Sequence, residues 1–128
     1  MAFHKFIRSA LRGEPILVFG DGEQTRDFTY VEDAVSATIA AALSPKAEGN
    51  VYNVGTGRET GINQLARSII AVTESKSTVE LVDRRDIDNI RRRVLNIEKI
   101  RRELRWIPSV TLEEGLRRTS AWIKSRRS

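Results

Sequence analysis

The 128-residue chain has no cysteine. Disulfides and thiolate metal sites are thereby excluded, and the composition fits a reducing compartment, so the cytoplasm is the expected location. A single histidine, His4, rules out a multi-histidine metal centre. No apolar run approaches membrane-spanning length, and Met1-Ala2-Phe3-His4-Lys5 passes straight into an amphipathic pattern without a signal-peptide core. No membrane partner is expected. Aromatic residues are scarce at 6%, which weakens any case for base stacking on a nucleic-acid strand. There are no internal repeats and no low-complexity segments, so one domain over residues 1–128 is expected.

What the chain does have is positive charge. The formal net charge is +5, with the excess mainly after residue 84. A basic balance points to an anionic ligand, either a nucleotide diphosphate or a nucleic acid. Arg91-Arg92-Arg93, Arg101-Arg102 and Arg126-Arg127 are the stretches a nucleic acid would use. No reading motif accompanies them, and a solvated charged face is the favoured explanation.

Periodicity sets out the elements. Phe3, Phe6, Ile7, Ala10 and Leu11 fall on one helical face, stopped by Gly13 and Pro15. Ile16 to Phe19 reads as a buried strand. Val31 to Leu43 reads as a helix that starts on Glu32 and Asp33 and becomes apolar nearly all round, which calls for burial on several sides or leaves an exposed patch. Val51 to Val54 reads as a strand broken by Gly55-Thr56-Gly57. A helix follows with Ile62, Leu65, Ala66, Ile69 and Ile70 inward and Thr60 as its cap. Thr78 to Val82 reads as a strand, and Asp83 to Arg93 as a charged loop turning extended. Asn96 caps a helix carrying Ile97, Ile100 and Leu104. Thr111 and Glu114 have capping-box spacing for a last helix with Leu112, Leu116, Ile123 and Trp122 inward. The alternation gives an α/β fold, a small layered domain of short strands and about five helices.

The stretch from Val18 to Asp33 organises the rest. Gly20 and Gly22 free the backbone between a strand and Arg26, a rigid and permanently charged fork set among apolar and aromatic residues. From spacing alone, two readings stand level. Arg26 meets an anionic ligand, or it pairs with Asp21, Glu23 or Asp27.

In order along the chain come Gly13-Glu14-Pro15, Val18-Phe19-Gly20-Asp21-Gly22, Arg26-Asp27-Phe28 with Tyr30-Val31 and Asp33, Val51-Tyr52-Asn53-Val54-Gly55-Thr56-Gly57, Trp106-Ile107-Pro108, and Leu112-Glu113-Glu114-Gly115-Leu116. This series resembles the C-terminal, substrate-binding portion of the extended short-chain dehydrogenase/reductases, the NAD-dependent nucleotide-sugar epimerases and dehydratases of the UDP-glucose 4-epimerase type. The likeness covers nearly the whole chain but not a whole family enzyme.

The resemblance implies that Arg26 binds the diphosphate of a nucleotide sugar, since a guanidinium meets paired phosphate oxygens with two parallel hydrogen bonds. It implies a second clamp at Arg85, with Arg84 close behind, and a ribose contact at Asp88 or Asn89. The family's glycine is missing from that loop, and Asn96 stands for its usual helix-leading aspartate. Leu17, Val18 and Phe19 match the segment along the nucleotide base, although ordinary core explains Leu17 and Val18 as well. Gln24 matches a position near the nucleotide.

Family catalysis needs a glycine-rich turn for NAD and a tyrosine with a lysine four residues on. Here Tyr30 is followed at that spacing by Ala34, and Tyr52 by Thr56. Gly55-Thr56-Gly57 fails as a dinucleotide fingerprint because Gly61 lies one position too far. The implied function is the sugar-nucleotide-binding part of an epimerase or dehydratase, lacking the N-terminal Rossmann domain and inactive alone. No cofactor is expected on this chain, with NAD in the complete enzyme. The implied partners are a nucleotide-diphosphate sugar and either a second copy or a missing N-terminal half. The alternative is a non-catalytic, self-associating module of the same ancestry.

Overall fold

The computed structural model describes residues 2–83 and 90–126. Eleven residues of the first amphipathic run form α1 (Ala2–Arg12). Gly13, at φ +68°, turns the chain out of it into β1 (Ile16–Phe19). There follow β2 (Thr25–Arg26), α2 (Val31–Leu43), a 3₁₀ turn over Pro45–Ala47, β3 (Thr60–Gly61), α3 (Ile62–Thr73), β4 (Val79–Val82), β5 (Arg92–Arg93), α4 (Glu98–Leu104) and α5 (Leu112–Ser125).

Two small sheets result. β1 pairs parallel with β4, Ile16 opposite Val79 through Phe19 opposite Val82. β2 lies between β3, antiparallel, and β5, parallel. The main core forms where α1, α3 and α5 pack with β1: Phe6, Ile7, Ala10, Ile16, Val18, Leu65, Ala66, Ile69, Leu116 and Ile123 are all buried. Each fully buried Ile or Leu contributes roughly 1.5–3 kcal/mol. A second cluster, Ala37, Ile100 and Trp106, joins α2 to α4. The Trp106 indole donates to Ser36 Oγ at 2.8 Å, so its polar edge is satisfied.

The α/β class and five helices agree with the sequence, but several local expectations need correction. Val51 to Val54 pairs with no strand among the described residues, and Val51 is 83% exposed. The valine pattern is present, but none of the described strands pairs with it. Thr60 belongs to β3, and Gly61 precedes α3 without any side-chain cap. Trp122 is 54% exposed, its ring under the Arg126 guanidinium rather than in the core.

On α2 the exposed-patch alternative is the one found. Only Asp33 and Ala37 are buried on this helix, while Val31, Val35, Ile39 and Leu43, spaced four apart, form an exposed apolar stripe. Asn96 behaves as expected, its side chain accepting from the Glu98 amide. So does Thr111, which accepts from the Glu114 amide at 3.2 Å. The Glu114 side chain does not complete the box. It turns to Arg117 and Arg118 instead.

Candidate functional site

The loop between β1 and β2 is built by backbone geometry. Gly20 and Gly22 sit at φ +74° and +70°. A Cβ at Gly22 would come within 2.1 Å of Asn63 Oδ1, so a side chain there would have to displace the Asn63 amide as well as adopt a positive φ. The Asp21 carboxylate accepts from the Glu23 amide and from Arg91, and the Arg91 guanidinium, with that amide, holds the Asp21 carboxyl below its ordinary value. Asn63 Nδ2 donates to Asp21 O and Glu23 Oε1, tying the loop to the start of α3.

Arg26 closes β2. Its Nη1 donates to Thr25 O at 2.7 Å and to Ile90 O at 2.9 Å. Backbone carbonyls orient a guanidinium without contributing a full opposing charge. The next residue, Asp27, gathers the other side of the strand. Its carboxylate accepts from the Thr56 amide and hydroxyl, from the Gly57 amide at 2.9 Å, and at 3.4 Å from the Leu95 amide. Gly55 is packed against it so closely that a Cβ would lie 2.7 Å from Asp27 Oδ2. Nothing in the spacing of the chain singles out this carboxylate. The available signal was the glycine turn Gly55-Thr56-Gly57, whose successive N–H groups can cradle an anion.

The same contacts decide the cofactor question for this turn. The amides that would cradle an NAD pyrophosphate are already donated to Asp27. The turn therefore does not fit a dinucleotide.

The remaining expected site residues divide. Phe19 is half-buried at the end of β1, and Gln24 Nε2 donates to its carbonyl at 3.1 Å, so the Gln24 amide bridges the two ends of the loop that precedes Arg26. Val18 has no exposed surface. Its side chain belongs to the core, and its backbone lies in the β1–β4 pairing opposite Leu81. Leu17, expected as core, is 45% exposed. Arg84, Arg85, Asp88 and Asn89 lie outside the described residues.

Most of the described basic residues after 84 are occupied within the chain. Arg91 pairs with Asp21, Arg92 with Glu59, and Arg117 and Arg118 with Glu114, Arg118 reaching Glu32 as well. Two guanidiniums on one carboxylate depress the Glu114 pKa to about 2. Near the start of α2, an apolar cleft of about 240 Å³ is lined by Phe3, Phe28, Tyr30, Leu65, Leu112 and Leu116, among others. Among the described residues no group of acidic or histidine side chains could hold a metal ion. No described helix is long and apolar enough to cross a membrane.

Comparison with known proteins fits this arrangement. The GDP-mannose 4,6 dehydratase family model matches residues 2–119. UDP-N-acetyl-alpha-D-glucosaminuronate decarboxylase of Bacillus cytotoxicus is 39% identical over 125 residues, which are 94% of this chain and 39% of that protein. The UDP-glucose 4-epimerase of Thermotoga maritima, solved with UDP-glucose, superposes with a TM-score of 0.91 at 34% identity, over 100% of this chain and 40% of that one. The UDP-glucuronic acid 4-epimerase of Bacillus cereus, solved with UDP-glucuronic acid and NAD, gives a TM-score of 0.89 at 31% identity, over 98% of this chain and 40% of that one. The chain thus spans about two-fifths of the length of the relatives it matches. With the arginine-bearing strand, the glycine turn and the terminal helices in the family's order, it belongs to the NAD-dependent nucleotide-sugar epimerases and dehydratases of the extended short-chain dehydrogenase/reductase group, of which it represents a C-terminal portion.

Proposed function

We propose that this chain is the sugar-nucleotide grip of an epimerase or dehydratase, with Arg26 as its diphosphate ligand. The observation that carries this reading is the mounting of Arg26. Carbonyls of Thr25 and Ile90 fix its head, while Asp27 anchors the strand from the other side. Preorganisation lowers the entropy lost when an anion binds. Phe19 and Gln24, joined through the Phe19 carbonyl, form the adjoining wall. Arg85 and Asn89 remain proposed contacts for the second phosphate and the ribose.

In the complete enzyme NAD would take hydride from the sugar, supplied by residues outside this portion. The sequence holds no tyrosine with a lysine four residues on, so the chain alone is expected to show no turnover. The reducing compartment favoured by the absence of cysteine is the cytoplasm. Titration calorimetry with UDP-glucose, UDP-glucuronate, dTDP-glucose and GDP-mannose tests the grip. At least one should bind, and Arg26→Ala should weaken it by about tenfold or more. Binding by none of them, or equal binding by the variant, would overturn the assignment.

A second reading, a self-associating module without catalysis, is favoured by one feature. Val31, Val35, Ile39 and Leu43 expose more than half of their surface along one side of α2. Isolated soluble domains cover such stripes or aggregate through them. Light scattering of the purified chain decides: a monomer at high concentration removes this reading. Nucleic-acid binding is weakened by the ion pairs that Arg91, Arg92, Arg117 and Arg118 already make.

A further inference from the structure

The 51–54 segment is built like a strand whose edge is open. Exposure alternates along it: Val51 and Asn53 face solvent, while Tyr52 and Val54 pack on the second core cluster. Such alternation is a strand's. The segment is held from α4. Tyr52 Oη donates to Glu103 Oε2 at 2.8 Å, and Lys99 Nζ lies 4.9 Å from the centre of the Tyr52 ring. Lys99 Nζ also donates to the Val51 carbonyl at 3.1 Å. In a strand, alternate residues turn their N–H and C=O groups to the same edge. Lys99 therefore occupies the edge of Val51 and Asn53. On the other edge, the amides and carbonyls of Tyr52 and Val54 make no hydrogen bond with the described residues.

We infer that this open edge pairs with the same edge of a second copy, antiparallel, about a two-fold axis through Asn53. Tyr52 then stands opposite Val54 of the second copy, and each such pair exchanges both of its N–H···O bonds. The inference rests on the self-association reading of α2 and fixes how the copies meet.

Charge and area favour a second copy as the occupant. Lysine, proline or a bulge normally guards a strand edge, yet from Asn50 to Gly57 there is no charge and no proline. From Ala34 to Ser44 there is no charge either, in a chain that is 30% charged. Copies at a net charge of +5 repel, and along these two stretches they approach without like charges meeting. The α2 stripe ends at Leu43, beside the Pro45–Ala47 turn that leads to Val51. Covering the stripe and Val51 on two copies buries on the order of 1,000 Å², the lower bound for a specific interface, so a weak, concentration-dependent dimer is expected.

The test uses Asn53, which this pairing sets opposite itself. Sedimentation equilibrium compares wild type, Asn53→Lys, Asn53→Glu and an equal mixture of those two variants, with Ile39→Glu alongside. Like charges directly opposite weaken a strand pairing, so each Asn53 variant alone should dimerise about fivefold more weakly, and the mixture should recover. Recovery on mixing supports the inference. If the Asn53 variants dimerise like wild type, or mixing restores nothing, the inference falls, and a loss in Ile39→Glu leaves the α2 reading standing. If the wild type is a monomer throughout, both fall and the edge belongs to a different polypeptide.

The bond lost in these variants, Asn53 Nδ2 to Asn96 O at 3.3 Å, is long and exposed. Thermal unfolding checks that they are folded. Should they not be, amide exchange in the wild type takes their place. The Tyr52 and Val54 amides should exchange more slowly as concentration rises, and those of Val51 and Asn53 should not. No change at Tyr52 and Val54 while the chain dimerises overturns the inference.

Discussion

Replacing Asp27 by asparagine exchanges one carboxylate oxygen for an NH₂ group and keeps the shape. One carboxylate oxygen accepts from the Thr56 amide and hydroxyl, the other from the Gly57 amide and, more weakly, the Leu95 amide at 3.4 Å. Whichever way the new amide turns, its NH₂ faces N–H donors. Facing Gly57 is the cheaper choice, since the Thr56 hydroxyl and amide keep an acceptor. The variant then loses one good bond and one long one to a charged acceptor, and places donor against donor. Hydrogen bonds to charged groups are worth about 1.5–3 kcal/mol each; at this partly buried site, losing one good bond and one long one is expected to cost about 2–3 kcal/mol. For a domain of this size that lowers the melting temperature by very roughly 10 °C. Thermal unfolding followed by far-ultraviolet circular dichroism measures it. Asp27→Asn within about 0.5 kcal/mol of wild type would refute the claim that this carboxylate holds the glycine turn to the Arg26 strand.

Asp33 is buried, and its carboxylate accepts from the Ser109 amide and hydroxyl and the Val110 amide. Asp33→Ala strands these donors and should destabilise by about 3 kcal/mol in chemical denaturation. Gly22→Ala meets Asn63 at a positive φ and should likewise cost about 1–3 kcal/mol, whereas Gly13→Ala, with open space around it, pays only for its conformation. Glu114 has its pKa lowered from 4.5 to about 2. A depressed carboxylate contributes stability that is present above its unfolded value and lost as pH falls, so the acid limb between about pH 4.5 and 2 should be shallower in Glu114→Gln. Ile39→Glu on the exposed stripe should reduce any self-association seen by light scattering and leave the melting temperature nearly unchanged.

Helices were legible because their apolar spacing matched what they bury. The bounds of α2 and the inner face of α3, with Ile62, Leu65, Ala66 and Ile69 buried, follow directly from periodicity. Strands of two residues carry no period, and β2, β3 and β5 are held by side chains far away in sequence, as Glu59 is by Arg92. Val51 to Val54 has a strand's composition, but a strand is a relation between two segments and the second is not beside it. Trp122 looked like core because of its size, yet its position on α5 turns it outward, where Arg126 covers its ring. Arg26 stands out in the sequence from its setting, and its role as a ligand contact is a proposal. The work of Asp27 does not stand out, because a carboxylate that completes a turn thirty residues away leaves no trace in local sequence.

The parallel joining of β1 to β4 bears on how this chain reaches its native form. Ile16 meets Val79 only after the whole of α2, the Pro45–Ala47 turn and α3 has been gathered in between. Closing so long a loop costs entropy before any of its contacts can repay it, and proteins rich in such distant pairings fold slowly. The helices can begin to form locally, but the two-stranded seam must wait for them, so the seam is the step expected to set the pace of refolding.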